Sequence, residues 1–287
     1  MELKSLIDQP HKLPTIPKIA QKLIESFSSD DVSSDEIARQ IGADPVLSAK
    51  LLRLANSAYF HVSRTIGTVD DALHMLGFVM VRNLVLSSGM MAAFRNTPGV
   101  DLRQFWRYNL YTACASRWLA SAAGVNGDMV FTLGMMHGIG QLQMHVGMPD
   151  VMAPIDQQMH VLDGERAAFE TSVLGFHYGD VSAELAKLWN FPQPLIAALR
   201  DTPQPLAAEI FSEPAAWVHL GAWRARTEVL EMDDEAVVAT YPAKVGMRLH
   251  QAPGWVPALA AADSLASATE IMPPLSDLTE GLEAMLE

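Results

Sequence analysis

The chain has 287 residues, enough for one large domain or two small ones, and such a length buries roughly 75% of its unfolded surface without staples. Its net charge of -13 opposes non-specific nucleic-acid binding, which needs clustered Lys and Arg. The single cysteine, Cys114, excludes an internal disulfide; no apolar run approaches the ~18 residues of a membrane span, and MELKSLIDQPHK lacks the apolar region of a signal peptide, so a soluble cytoplasmic protein is expected.

The elements read as all helix. Val, Ile and Thr do not alternate into strands, and no Asn-Gly or Asp-Gly pair separates two such runs. Ser33 and Glu36 have the spacing of a capping box for a short helix ending near Gly42. Asp44 is an N-cap, Pro45 stands at the first helical position, and Leu47, Leu51, Leu54 and Ala55 form one apolar stripe before Asn56-Ser57 ends the helix. Thr68 caps the next helix, which stops near Gly77. Phe78 to Phe94 is almost entirely apolar and is expected at the centre. Asn96-Thr97-Pro98-Gly99 is the clearest break.

Asp101 then caps a long helix to about Ala123, closed by Gly124. Asn126 to Asp128 starts the helix that carries His137. Shorter helices follow near Pro149–His160, Gly164–Leu174, Asp180–Asn190 and Pro214–Leu230, and Phe191-Pro192 blocks the third of these. Acidic, proline-interrupted helices finish the chain. The expected organisation is two packed helical bundles, residues 1–96 and 97–230, with residues 231–287 packing on or extending the second. Charge is uneven. Residues 37–127 hold nine Lys/Arg against four acids, and no Lys or Arg follows Arg248. Solvated faces would account for this. An electropositive face able to attract an acidic partner, a nucleotide or the chain's own acidic tail would do so too.

Three stretches are more specific than their helical pattern: LPTIPKIAQKLI (Leu13 to Ile24), DPVLSAKLLRLANSAYF (Asp44 to Phe60) and ALHMLGF (Ala72 to Phe78). Together they resemble the HDOD family, the HD-related output domain of bacterial signalling proteins. The resemblance covers about Leu13 to Arg226 and is strongest before Phe94. It implies that the second bundle resembles the HD fold of metal-dependent phosphohydrolases, whose metal is held by a His, a His-Asp doublet and a distant Asp.

Compared with that pattern, the chain has lost most ligands. In FWRYNLYTA, Tyr108 stands where the resemblance would place a His; a phenol, which ionises only near pH ~10, ligates poorly at neutral pH. In LGMMHGIGQL, His137 is present but Gly138 replaces the Asp of the doublet. PLIAALRDTP offers only Asp201. In WVHLGAWRA, Gly221-Ala222 lies where an Ala-Asp pair would be expected, so Ala222 removes the last acid. A catalytic site needs three or more converging His or carboxylate ligands and an open water position, which one imidazole cannot provide. The expectation is therefore no cofactor and no HD-type metal centre.

Other candidates carry two readings each. His137 is either a leftover ligand or a core histidine bonded to a backbone carbonyl. His177 lies at a helix start and His219 near Ala222; with His137 and Asp180 they are candidates for a new metal cluster. Arg103 and Arg107 are candidates for reading a phosphate near the old site. There is no G-x-S-x-G elbow and no phosphate loop; Gly138 and Gly140 read as packing or kink glycines. Met90, Met91, Met135, Met136, Met144, Met148 and Met152 either fill the core or line an adaptable docking groove.

The expected function is a non-catalytic signalling protein that binds a protein partner, with no nucleic-acid or membrane partner. Two alternatives remain: a metal-dependent phosphohydrolase, and a sensor that binds a small nucleotide in the degenerate pocket.

Overall fold

The structure is a computed structural model and describes residues 3–9, 12–27, 33–262 and 270–286. The described residues form helices and no strand. The N-terminal part consists of α1 (Leu3–Ile7), α2 (Lys18–Glu25), α3 (Ser34–Gly42), α4 (Pro45–Ala55), α5 (Val69–Leu76) and α6 (Phe78–Ala93). The next group is α7 (Leu102–Ala122), α8 (Gly127–Met136), α9 (Ile139–Gly147), α10 (Pro149–Gln158), α11 (Arg166–Leu174), α12 (Tyr178–Leu188), α13 (Gln193–Asp201) and α14 (Glu213–Val229). Short helices α15 (Asp234–Thr240), α16 (Ala243–Arg248), α17 (Pro257–Ala262) and α18 (Leu275–Thr279) follow, with a final 3₁₀ turn at Leu282–Met285.

Local chemistry sets most helix starts. The Asp44 carboxylate accepts from the N–H groups of Val46 and Leu47, and Asp101 does the same for Arg103 and Gln104. Thr68 caps α5, and Asn126 caps α8. The capping box expected at Ser33 is absent. The Ser33 hydroxyl makes no cap bond, and Glu36 instead pairs with Lys22 of α2, whose full charge is a stronger attractor than a backbone N–H.

The stripe Leu47, Leu51, Leu54 and Ala55 is buried. It joins α2, α3, α5 and α6 in a core that continues without interruption into α7, α8, α13 and α14. Segments far apart in sequence also meet in a second, smaller core and at the C-terminal turn. Leu6 of α1 is buried with Met144, Met148, Met152, Phe176 and Val181 of the second group, and the Leu282–Met285 turn packs on α4 and α6. Two close approaches fix the α7–α8–α14 centre. A Cβ on Gly134 would lie 2.5 Å from Cα of Ala113, and one on Gly221 would lie 2.0 Å from Ser116 Oγ.

Among the described residues no single helix is long and apolar enough to cross a membrane; α5 and α6 together pass that test but bend by 111°. That bend sits at Gly77, whose φ of 76° suits a residue without Cβ. Burial accounts for the apolar composition of α6: Met80 to Met90 are all inside, including Arg82, Asn83, Ser87 and Ser88.

Candidate functional site

α7 presents Phe105, Tyr108, Asn109 and Thr112 at intervals of three and four, hence on one buried stripe. That stripe faces the junction where α8 ends at Met136 and α9 begins at Ile139, so His137 and Gly138 lie at a break between helices. His137 is 1% exposed. Its Nδ1–H donates to Gly134 O at 2.7 Å, which leaves Nε2 as the ring's one lone-pair site, and its ring meets Tyr108 edge-on with centroids 5.2 Å apart. Burial pushes the His137 ring down to about 4; the nearby Arg226 and His219 add to this, and the Gly134 bond opposes it.

The space beside His137 is nearly filled. A Cβ on Gly138 would come within 2.9 Å of Phe105 Cζ and 3.2 Å of Asn109 Oδ1, so the direction an Asp would take is occupied by an aromatic ring. The remaining cavity, bounded by Tyr108, His137, Gln141, Tyr178 and Arg226, measures about 10 Å³, room for at most one water. Gln141 Oε1 and Asn109 Oδ1 have no hydrogen-bond partner among the described residues. Arg226 donates from Nε to Leu162 O. Asp163, at the mouth, is exposed and accepts from the Glu165 N–H.

The other candidates are placed as follows. His177 is the N-cap of α12: Nδ1 accepts from the N–H of Gly179 at 3.1 Å and Asp180 at 3.4 Å, and Asp180 Oδ2 accepts from the His177 N–H at 3.0 Å. Asp180 also lies 3.9 Å from Arg200. His219, half-buried on α14, donates from Nδ1 to Thr202 O at 3.0 Å, and burial pushes its ring down to about 4. Ala222 is buried on α14 and carries no ligating atom. Burial raises the Asp201 carboxyl above its usual range, Arg200 opposing.

Among the described residues no three His, Cys, Asp or Glu side chains come together to hold a metal ion, His137, His177, His219 and Asp180 included. The donors at His137 do not fit the divalent metal that the HD fold implies: one available imidazole nitrogen, no carboxylate but the exposed Asp163 at the mouth, and a cavity closed by Phe105.

Arg103 and Arg107 are not at this site. They project from the other side of α7, five and one residues before Tyr108 on a helix that turns by about 100° per residue, and line a separate cavity of about 580 Å³. Met90, Met135, Met136, Met144, Met148 and Met152 are all buried, so they fill the core instead of lining a groove; Met91 is half-buried at the second cavity.

Sequence reasoning missed the polar network behind the pocket. Arg166 Nε donates to Glu170 Oε1 at 2.8 Å, and both side chains are 0% exposed. Glu170 Oε1 also accepts from Gln141 Nε2 at 2.7 Å, and Oε2 from the Tyr178 N–H at 2.8 Å. Arg166 Nη2 reaches Asp156 Oδ1 at 2.7 Å; Asp156 Oδ2 and Gln141 O face the two ring nitrogens of His145 at 2.9 and 2.6 Å. An i,i+4 Arg–Glu pair reads from sequence as a surface ion pair, and nothing local signals its burial. Arg226 was findable: it lies one turn beyond Ala222 on the same face of α14.

Comparison with known proteins agrees with this architecture. Residues 13–205 match the HDOD domain family model. A structure from Shewanella amazonensis SB2B, provisionally named a phosphohydrolase, is 28% identical with a TM-score of 0.73 and covers 98% of this chain and 96% of its own. An HDOD domain protein of unknown function from Geobacter sulfurreducens (19% identity, TM-score 0.66, 92% and 98% covered) shares the fold, as does a provisionally named signal transduction protein from Marinobacter aquaeolei VT8 (20%, 0.68, 96% and 60%). An uncharacterised protein of Treponema pallidum is 24% identical over 205 residues, which are 68% of this chain; the chain spans only 38% of that relative's length. With the family model covering more than half of its residues, the chain belongs to the HDOD domain family.

Proposed function

We propose that this protein is a non-catalytic signal-transduction protein of the bacterial cytoplasm, acting through contacts between its helical surfaces and a protein partner. The observation that carries the reading is the state of the His-Asp doublet position. His137 is buried with Nδ1 committed to Gly134, and the side of Gly138 is filled by the Phe105 ring. Hydrolysis of a phosphate ester needs a polarising group, an activated water and room for the ester. A cavity of about 10 Å³ beside one neutral imidazole supplies none of the three. Family membership is consistent with a signalling role, and the fold neighbour from Marinobacter carries a signal-transduction name.

The rival reading comes from the Shewanella neighbour, whose provisional name is a phosphohydrolase. One experiment separates the two. The purified protein is assayed for metal content and for turnover of phosphodiesters and nucleotides with added Mn²⁺, Mg²⁺ or Zn²⁺. The proposal expects no stoichiometric metal and no metal-dependent turnover. Turnover that stops in His137→Ala while the fold is retained would overturn it. Cross-linking in cells, followed by reconstitution with the purified partner, tests the contact half of the proposal.

A further inference from the structure

The cavity of about 580 Å³ on the far side of α7 has the size of a small-molecule site. Three segments build it. Leu102, Arg103, Trp106 and Arg107 come from the first turns of α7, Met91 from the last turn of α6 and Arg95 from just beyond it, and Glu283 and Leu286 from the C-terminal turn and the residue after it. The lining divides by chemistry. Trp106, 3% exposed, forms an apolar floor with the half-buried Met91, Leu102 and Leu286. Arg95, Arg103 and Arg107 are exposed at the rim, and among the described residues none of their guanidinium groups makes a hydrogen bond or ion pair. Thr279 donates to Glu283 Oε1 at 3.0 Å, which holds the one carboxylate of the lining in place.

Three guanidinium groups around one cavity concentrate positive charge that an anion would offset. Against one carboxylate they leave a net charge of +2, which a phosphate monoester, carrying about -1.5 to -2 at neutral pH, would offset. Guanidinium forks bind phosphate oxygens in pairs, a geometry an ammonium does not reproduce. The apolar floor adds a demand that inorganic phosphate does not meet, namely a flat or apolar body attached to the phosphate.

We infer that this cavity is a binding site for a small phosphate monoester with an aromatic body, of the nucleoside monophosphate class, held by Arg95, Arg103 and Arg107 over Trp106. The site is separate from the His137 pocket and does not depend on what that pocket does. Glu283 belongs to the turn that also packs on α4 and α6, and Leu286 directly follows it, so the ligand would touch the C-terminal segment directly. A ligand seated against that turn is placed to alter its packing.

The test is calorimetric titration of the full chain with AMP and GMP, with adenosine, guanosine and inorganic phosphate as the parts. At least one nucleotide is expected to bind, and each part to bind at least ten-fold more weakly. Arg103→Ala and Arg107→Ala, exposed positions that leave the core untouched, should each weaken binding roughly ten- to hundred-fold, the loss expected for one charge-assisted bond. Arg107→Lys should recover only part of it. Glu283→Gln should strengthen binding, while the exposed control Lys18→Ala should not change it. Three results would overturn the inference: no binding by either nucleotide, binding as tight for inorganic phosphate, or binding indifferent to both arginine variants. None of these bears on the metal and turnover assays, so the two proposals fail separately.

Discussion

Arg166 and Glu170, one turn apart on α11, are both withdrawn completely from solvent and joined at 2.8 Å through Nε and Oε1. Around them Gln141, the Tyr178 N–H, Asp156 and His145 complete a network that ties α9, α10, α11 and the start of α12 together. Two of its members, Gln141 and Tyr178, also bound the pocket at His137. The position of that pocket's wall is therefore set by a buried charge pair that never touches it.

Removing one partner should be costly and removing both less so. Glu170→Ala leaves a buried guanidinium half compensated and an unbonded Tyr178 N–H, and should destabilise the fold by about 3–5 kcal/mol. The double variant Arg166→Met with Glu170→Leu should recover a large part of that loss, because no fully buried charge is left unpaired; Asp156, which loses its guanidinium, is 25% exposed and keeps His145. Urea unfolding monitored by circular dichroism measures both, and a double variant no better than Glu170→Ala would disprove the coupling.

Placing an acid beside His137 should not create a metal site. In Gly138→Asp the new Cβ meets Phe105 Cζ at 2.9 Å, so the ring must move, at a cost of about 1–3 kcal/mol from overpacking alone. Elemental analysis should still find no stoichiometric divalent ion. Combining Gly138→Asp with Phe105→Ala relieves the clash, and its melting temperature should fall short of additivity with the two single losses.

Acid should weaken the fold through His137. Its ring is held at about 4 against 6.5 for a free histidine, so the unfolded chain binds the extra proton more readily. The stability from this group is intact above pH 6.5 and is lost as pH falls toward 4. At pH 5 the loss is about 2 kcal/mol for this ring. His219, pushed down to about 4 as well, acts in the same direction. Unfolding free energies at pH 7.5 and 5 should differ less in His137→Gln than in the native chain; an unchanged difference would rule out the assignment.

Gly134→Ala tests the helix spacing at the centre. The added methyl would stand 2.5 Å from Ala113 Cα, a backbone atom that cannot rotate away, so α7 and α8 must separate. A loss of about 3 kcal/mol is expected, at the upper end for overpacking. Gly175→Ala, where no atom lies within 4 Å but φ is +82°, should cost about 1 kcal/mol through backbone strain alone.

The readable parts of the sequence share a property: their physics is local. Asp44, Thr68, Asp101 and Asn126 cap helices through N–H groups two or three residues away, so composition and order suffice to place those ends. Ser33 failed because its partner Glu36 had a competitor, Lys22, fourteen residues back in the chain. That Gly138 and Ala222 carry no ligating side chain was equally legible, since residue type alone decides it.

What the sequence settled by itself was the helical class and most helix ends, both consequences of residue type and short-range spacing. Tertiary structure alone decided which way each helix faces and what it meets. It sent Arg103 and Arg107 to the side of α7 away from Tyr108 and closed the space beside Gly138 with Phe105. It also enclosed Arg166 and Glu170 and brought Glu283 and Leu286 back against the start of α7. These outcomes depend on contacts between residues tens to nearly two hundred positions apart, selected by how helical faces bury apolar area, and no short window of sequence contains them.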